Sequence, residues 1–292
     1  MICYPYRMLA SSPSIRTRRN GLLAMAGLAL AIGGCSGEAP GEQKAEPEAV
    51  VTEQIPEIVP VQSTEVAPLT ALGRGDLIAA FARASDATAA GQPLPDANRQ
   101  LVGRTFNLKL PFGCNGEAGK ERPVWAGWTF DSKGRVLRVF AAPERWTDAD
   151  WVKPIAGNLP HEAVEGFWIE RPWTSSEECP AANVASNADL AASKERETMG
   201  IAQFFAPDSS RTFQRGSRPY SHTIRVREPA EIEGRTYRLA VSGRITGFPD
   251  GQPIHCVQDS PDRRPVCLIA VDLARVSFED PRDGNVLVEW RN

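Results

Sequence analysis

Two stretches decide the fold class: Tyr237-Arg238-Leu239-Ala240-Val241-Ser242-Gly243-Arg244-Ile245-Thr246, and Cys267-Leu268-Ile269-Ala270-Val271-Asp272-Leu273-Ala274-Arg275-Val276-Ser277-Phe278. In the first, Tyr237, Leu239, Val241 and Ile245 share one parity, while Arg238, Ser242, Arg244 and Thr246 take the other. A period of two is that of a strand with one face in a core. In the second, Cys267, Ile269, Val271 and Leu273 hold one face, and the phase then slips to Val276 and Phe278. A slip of one residue in an alternating pattern predicts a β-bulge or turn near Arg275. Asp280-Pro281-Arg282-Asp283-Gly284-Asn285 then turns the chain into Val286, Val288 and Trp290.

The same period recurs upstream. Phe106, Leu108 and Leu110 alternate with polar residues, as do Val124, Ala126, Trp128 and Phe130 with Trp125, Gly127 and Thr129. Asp131-Ser132-Lys133-Gly134 is a hairpin turn into 135–140. Weaker strands are expected at 166–170 and 201–205, and a loop or peripheral helix at 180–200. Only 70–90 shows a helical period, with Leu77, Ile78, Phe81, Ala84 and Thr88 in one stripe before Gly91 and Pro93. A short turn at 146–151 has Thr147 as its expected cap. About ten short strands with hairpin punctuation predict a mainly β, α+β fold: an antiparallel barrel or sandwich with one N-terminal helix packed against it.

The 292 residues carry a net charge of −3, but this total conceals three segments. Residues 1–34 hold Arg7, Arg16, Arg18 and Arg19 and no acid. The eleven residues 22–32, Leu-Leu-Ala-Met-Ala-Gly-Leu-Ala-Leu-Ala-Ile, are too few for a spanning helix, which needs about 20. They have the length of a signal-peptide core behind a basic region. Residues 36–66 carry seven glutamates against Lys44 alone, with four prolines and no aromatic. Such a segment cannot bury enough apolar surface to offset its chain entropy, so 35–66 is expected to be a disordered acidic tether. Residues 67–292 are nearly neutral and long enough for one sizeable globular β-rich domain. No global basic field points to nucleic acid.

Ile32-Gly33-Gly34-Cys35 resembles the lipobox of bacterial lipoproteins, and the resemblance covers residues 1–36 only. It implies that Cys35 is acylated after cleavage before it, giving a membrane anchor of several acyl chains. Ser36, rather than Asp, implies the outer membrane, facing the periplasm, over the inner membrane. The chain is thus expected in the bacterial cell envelope.

Four body cysteines remain: Cys114, Cys179, Cys256 and Cys267. An even count in an oxidising compartment reads as a disulfide framework. Three connectivities are open. Cys256–Cys267 across a Pro-rich turn with Cys114–Cys179 is favoured over a zinc site, which lacks close cysteine pairs. The histidines show no ligand spacing, and no nucleophile elbow, phosphate loop or dinucleotide fingerprint occurs. No cofactor, metal or catalytic residue is nominated.

Two features suit binding. Six tryptophans fall within 125–173, Trp128 predicted inward and Trp125 on the opposite face. Charge is segregated: 144–197 is net −6, whereas 211–244 holds eight arginines against three glutamates. Arg225 and Arg227 share one strand face, and Arg238 and Arg244 another, so they offer forks for an anionic lipid or acidic partner or pair with the acidic half of the fold. His222 lies on the apolar face of its strand, as a core or pocket residue. The expectation is a non-catalytic binding or scaffolding module that meets an envelope protein, glycan or anionic lipid. The alternatives are an enzyme on an envelope polymer or glycolipid, and an accessory subunit of an outer-membrane assembly.

Overall fold

The computed structural model describes residues 69–119, 124–181, 197–216, 218–227, 232 and 234–292. All lie in the unit Thr64–Asn292. Cys35, the basic leader, the tether and most of 180–200 therefore lie outside the described residues. Helix α1 (Arg74–Ala89) begins where the Asp76 carboxylate accepts a hydrogen bond from the Gly73 N–H at 2.9 Å. It starts later than its apolar stripe suggests because Leu72 instead bridges to Phe106 and exchanges backbone hydrogen bonds with Thr105 and Asn107. Leu77, Ala80, Phe81 and Ala84 are its buried stripe. Full burial of a side chain such as Phe81 contributes roughly 1.5–3 kcal/mol.

A short helix, α2 (Asp96–Arg99), leads to strand β1 (Thr105–Phe112). There follow β2 (Ala126–Asp131), β3 (Val136–Ala141), β4 (Glu144–Arg145), α3 (Val152–Ala156), β5 (Ala163–Trp168), β6 (Met199–Phe205) and β7 (Tyr220–Arg225). The chain ends with β8 (Tyr237–Ile245), β9 (Ile254–Val257), β10 (Val266–Glu279) and β11 (Val286–Arg291). The fold is mainly β, an α+β sandwich. An eight-stranded sheet runs β1-β8-β10-β6-β5-β4, with β9 and β11 also paired to β10, and a three-stranded sheet runs β2-β3-β7.

Strand β10 is the axis of the molecule. Its first half pairs with β9 and with β6, and its second half with β8 and β11. The β6–β10 ladder is parallel, a departure from the otherwise antiparallel pairing of the sheets. The register against β8 shifts between Leu273 and Arg275, at the bulge the phase slip predicts. Gly243 faces it: a Cβ there would stand 2.0 Å from the Asp272 carbonyl oxygen, so the bulge requires a glycine opposite.

Cys267, Ile269, Val271 and Leu273, then Val276 and Phe278, enter one large core, which α1 and the three-stranded sheet also enter. Leu268 and Ala270 face the opposite way, into a smaller core with Trp146, Val152, Ile155, Val164, Ala202 and Phe248. The first half of β10 is thus buried on both faces. Thr147 is not a cap: its hydroxyl accepts the Val164 N–H at 3.0 Å, pinning the 146–150 turn to β5. Disulfides join Cys114 to Cys179 and Cys256 to Cys267, the latter pair directly opposite in the β9–β10 hairpin. No helix among the described residues is long and apolar enough to cross a membrane.

Candidate functional site: a groove of two clefts

The site grows from two glycines inside strands. A Cβ on Gly166 would stand 2.6 Å from the Trp146 ring and 1.9 Å from the Ile201 carbonyl oxygen. One on Gly200 would stand 3.1 Å from both Trp146 and Trp168. Strand glycines of this kind permit close approach, and here the groups that approach are indoles. Trp146 is buried, its ring centroid 4.7 Å from that of Trp168. Trp168 stacks on Trp151 with centroids 5.7 Å apart and planes 28° from parallel.

Trp151 and Trp168 remain half-exposed and wall a cleft of about 780 Å³. Val257 and Val266, opposite one another beside the Cys256–Cys267 bridge, also line it. The hairpin turn adds Asp259, Asp262, Arg263 and Arg264. This turn is internally braced: Arg263 pairs with Asp259 at 3.0 Å, and the Gln258 amide donates to the Arg263 carbonyl at 2.7 Å. Glu197 and Thr198 complete the lining. Thr198 is 4% exposed, and its hydroxyl has no hydrogen-bond partner among the described residues.

A second cleft of about 990 Å³ is lined by the 111–119 segment, Trp125, Glu144, Glu170 and again Glu197. Among the described residues, Glu197 is common to both linings, so the two clefts meet at this side chain, and the pair is called the groove. The Trp125 indole N–H donates to Glu170 Oε1 at 2.8 Å. Glu197 is exposed as a residue, but partial desolvation of its carboxyl, and then the negative charges of Glu144 and Glu170, raise its pKa from the ordinary glutamate value.

Arg74 sets the far wall. Buried at the start of α1, it donates to the carbonyls of Glu170, Arg171 and Thr174, fixing the loop that presents Glu170. Burial, and then the charge of Arg171, lower its pKa to about 10. Among the described residues, no three His, Cys, Asp or Glu side chains gather closely enough to hold a metal ion.

No protein family, curated protein or solved structure matches this chain.

The groove is built from residues other than most of those the sequence singles out. Trp125 does line it, but as a half-buried ring edge-on to Phe112 and Phe167 rather than an open surface residue. Strand β2 begins only at Ala126, so the parity of the strand does not govern Trp125. Trp128 is core, as its parity implies, and donates to the Arg235 carbonyl at 3.1 Å. His222 sits half-buried on the inward face of β7, opposite Val139, and lines neither cleft.

The four arginines are divided between the two sheets. Arg225 and Arg227 lie at the exposed end of β7, whereas Arg238 and Arg244 lie on β8. Arg238 pairs with Glu178, and Arg244 donates to the Gly103 carbonyl at 2.6 Å. Arg211 likewise pairs with Glu162 at 2.6 Å. The basic stretch therefore spends part of its charge on the acidic stretch of its own fold. The groove residues Trp151, Trp168, Glu197, Thr198, Asp262 and Arg264 escape a reading by local motif. The signal that points to them is the pair of glycines within two largely apolar strands near a run of tryptophans.

Proposed function

We propose that this chain is a lipid-anchored protein of the bacterial cell envelope whose body is a non-catalytic binding module, with the groove meeting at Glu197 as its ligand site. The observation that carries this reading is the groove itself: a half-exposed, stacked indole pair beside a braced, charged turn. Concave sites with an apolar wall and a few placed polar groups are where ligands bind. The lipobox-like Ile32-Gly33-Gly34-Cys35 supports the anchor, and the acidic tether supports a body held away from the bilayer. Ser36 supports the outer membrane. The test is fractionation of Cys35→Ala beside the wild-type chain in cells fed labelled palmitate. The wild type is expected to carry label and pellet with membranes, and the variant to carry none and leave them. Unchanged fractionation and no label on the wild type contradict the anchor.

One observation favours a second reading, an enzyme acting on an envelope polymer. A carboxyl whose pKa is raised by its neighbours, beside the further carboxylates Glu144 and Glu170 in one cleft, is an arrangement that suits a general acid. That reading expects new reducing ends from isolated envelope polymer, lost in Glu197→Gln. The binding reading expects none from either chain.

A further inference from the structure

We infer that the Trp151–Trp168 cleft is a saccharide site that takes an uncharged, N-acetylated hexosamine oligomer; the inference rests on the binding reading above and names its ligand class. Three features of the cleft select this chemistry. The first is the wall. Trp151 and Trp168 present half-exposed indoles held in place by the buried Trp146 and by the space over Gly200. The negative faces of such rings attract flat ligand surfaces edged with C–H groups, which a pyranose ring has.

The second feature is the charge of the lining. Among the described residues of the lining, Glu197, Asp259 and Asp262 stand against Arg263 and Arg264, a net of −1. A phosphate or carboxylate ligand calls for a positive excess, and an amine calls for acids without arginines. Interleaved donors and acceptors of both signs suit a neutral polyol, whose hydroxyls both donate and accept. Arg263 is already paired with Asp259, while Asp262 and Arg264 have no side-chain hydrogen bond or ion pair among the described residues. One acceptor and one donor are therefore free on a turn that is already ordered, which lowers the entropy cost of binding.

The third feature is the polar atom left over. The buried Thr198 hydroxyl lacks a partner among the described residues, and an unsatisfied buried hydroxyl is costly until something bonds to it. Val257 and Val266 supply an apolar patch for an acetyl methyl group. The volume of about 780 Å³ lies within the range that holds drug-sized molecules such as a disaccharide.

The test is calorimetric titration of the full chain in detergent with N-acetylglucosamine oligomers of increasing length, beside glucose oligomers of the same lengths. Saturable binding of the acetylated series is expected, weakened about tenfold or more by Trp151→Ala. Thr198→Val, which keeps the shape and removes the hydroxyl, is expected to weaken it without lowering the melting temperature. Trp173→Ala, at an exposed residue that lines neither cleft, is expected to leave it unchanged. No binding of the acetylated series, equal binding of both series, or affinity indifferent to Trp151 and Thr198 overturns the inference. A second arm measures retention of the same chains on detergent-washed envelope. Retention lost in Trp151→Ala without oligomer binding overturns the saccharide and leaves the binding module standing. Retention that ignores every groove variant, together with no oligomer binding, overturns both.

Discussion

The two halves of β10 meet different surroundings. From Val271 to Glu279, one face enters the large core and the other carries charges that pair across the sheet, Lys109 with Glu279 at 3.0 Å and Arg275 with Glu289 at 3.5 Å. From Cys267 to Ala270, both faces are buried, Cys267 and Ile269 in the large core and Leu268 and Ala270 in the small one. From Val271 to Glu279, the face turned away from the large core is polar: Asp272 is exposed, whereas Ser277 and Glu279 are buried and Glu279 is paired. A sheet covered twice gives a second apolar shelf, on which tryptophans stack and are left half-exposed at its rim. The Trp151–Trp168 cleft lies at that rim, so the second core builds that part of the groove, while the other cleft is walled by Phe112 and Trp125 of the large core.

This division can be broken by truncating one side chain in each half. Phe278→Ala is expected to cost about 4 kcal/mol, and Leu268→Ala about 3 kcal/mol, by denaturant unfolding. Both side chains are fully buried. Only Leu268→Ala should also speed the oxidation of Trp151 and Trp168 in residue-resolved hydroxyl-radical footprinting, because Leu268 packs in their core, whereas Phe278 packs against Trp290. Equal gains at Trp151 and Trp168 in the two variants would mean that the cores are one.

A smaller effect sharpens the comparison. Gly200→Ala places a methyl group 2.8 Å from Leu268 Cδ2 and 3.1 Å from two indoles, and the displacement is expected to cost about 1.5 kcal/mol. The variant should fold, with Trp168 quenched more readily by acrylamide. Unaltered quenching would show that the glycine does not seat the rings.

The smallest effect is electrostatic. Glu197 has its folded-state pKa raised, so its protonated form favours the fold below the usual glutamate range. That contribution is lost as pH rises through the raised value. Glu197→Gln should therefore melt slightly higher than the wild type at neutral pH. The difference should vanish on acidification below the usual glutamate range. A variant that melts lower at neutral pH would mean that the carboxylate has a stabilising partner.

The once-covered half was legible because its two faces differ in polarity. Tyr237, Leu239, Val241 and Ile245 declared their side, and the shift from Leu273 to Val276 announced the bulge. The disulfides were legible from count and spacing. The twice-covered half was not, because a run such as Leu268-Ile269-Ala270 has no polar face to break its symmetry. The parallel ladder of β6 on β10 was hidden for the same reason. That the arginines could pair with the acidic half of the fold was legible, but not which acid each takes: Glu178, the partner of Arg238, lies sixty residues away in sequence, in a loop. The groove depends on Trp151 meeting Trp168 across a turn and a strand, and no local spacing encodes that contact.

Hydroxyl-radical footprinting, read by mass spectrometry on the full chain in isolated envelopes and after detergent purification, tests the proposed ligand site most directly. Trp151 and Trp168 are expected to be oxidised more slowly in envelopes than in purified protein, with Trp173 oxidised equally in both. Protection of Trp173 alone, or no protection of Trp151 and Trp168, would contradict a ligand site in the groove.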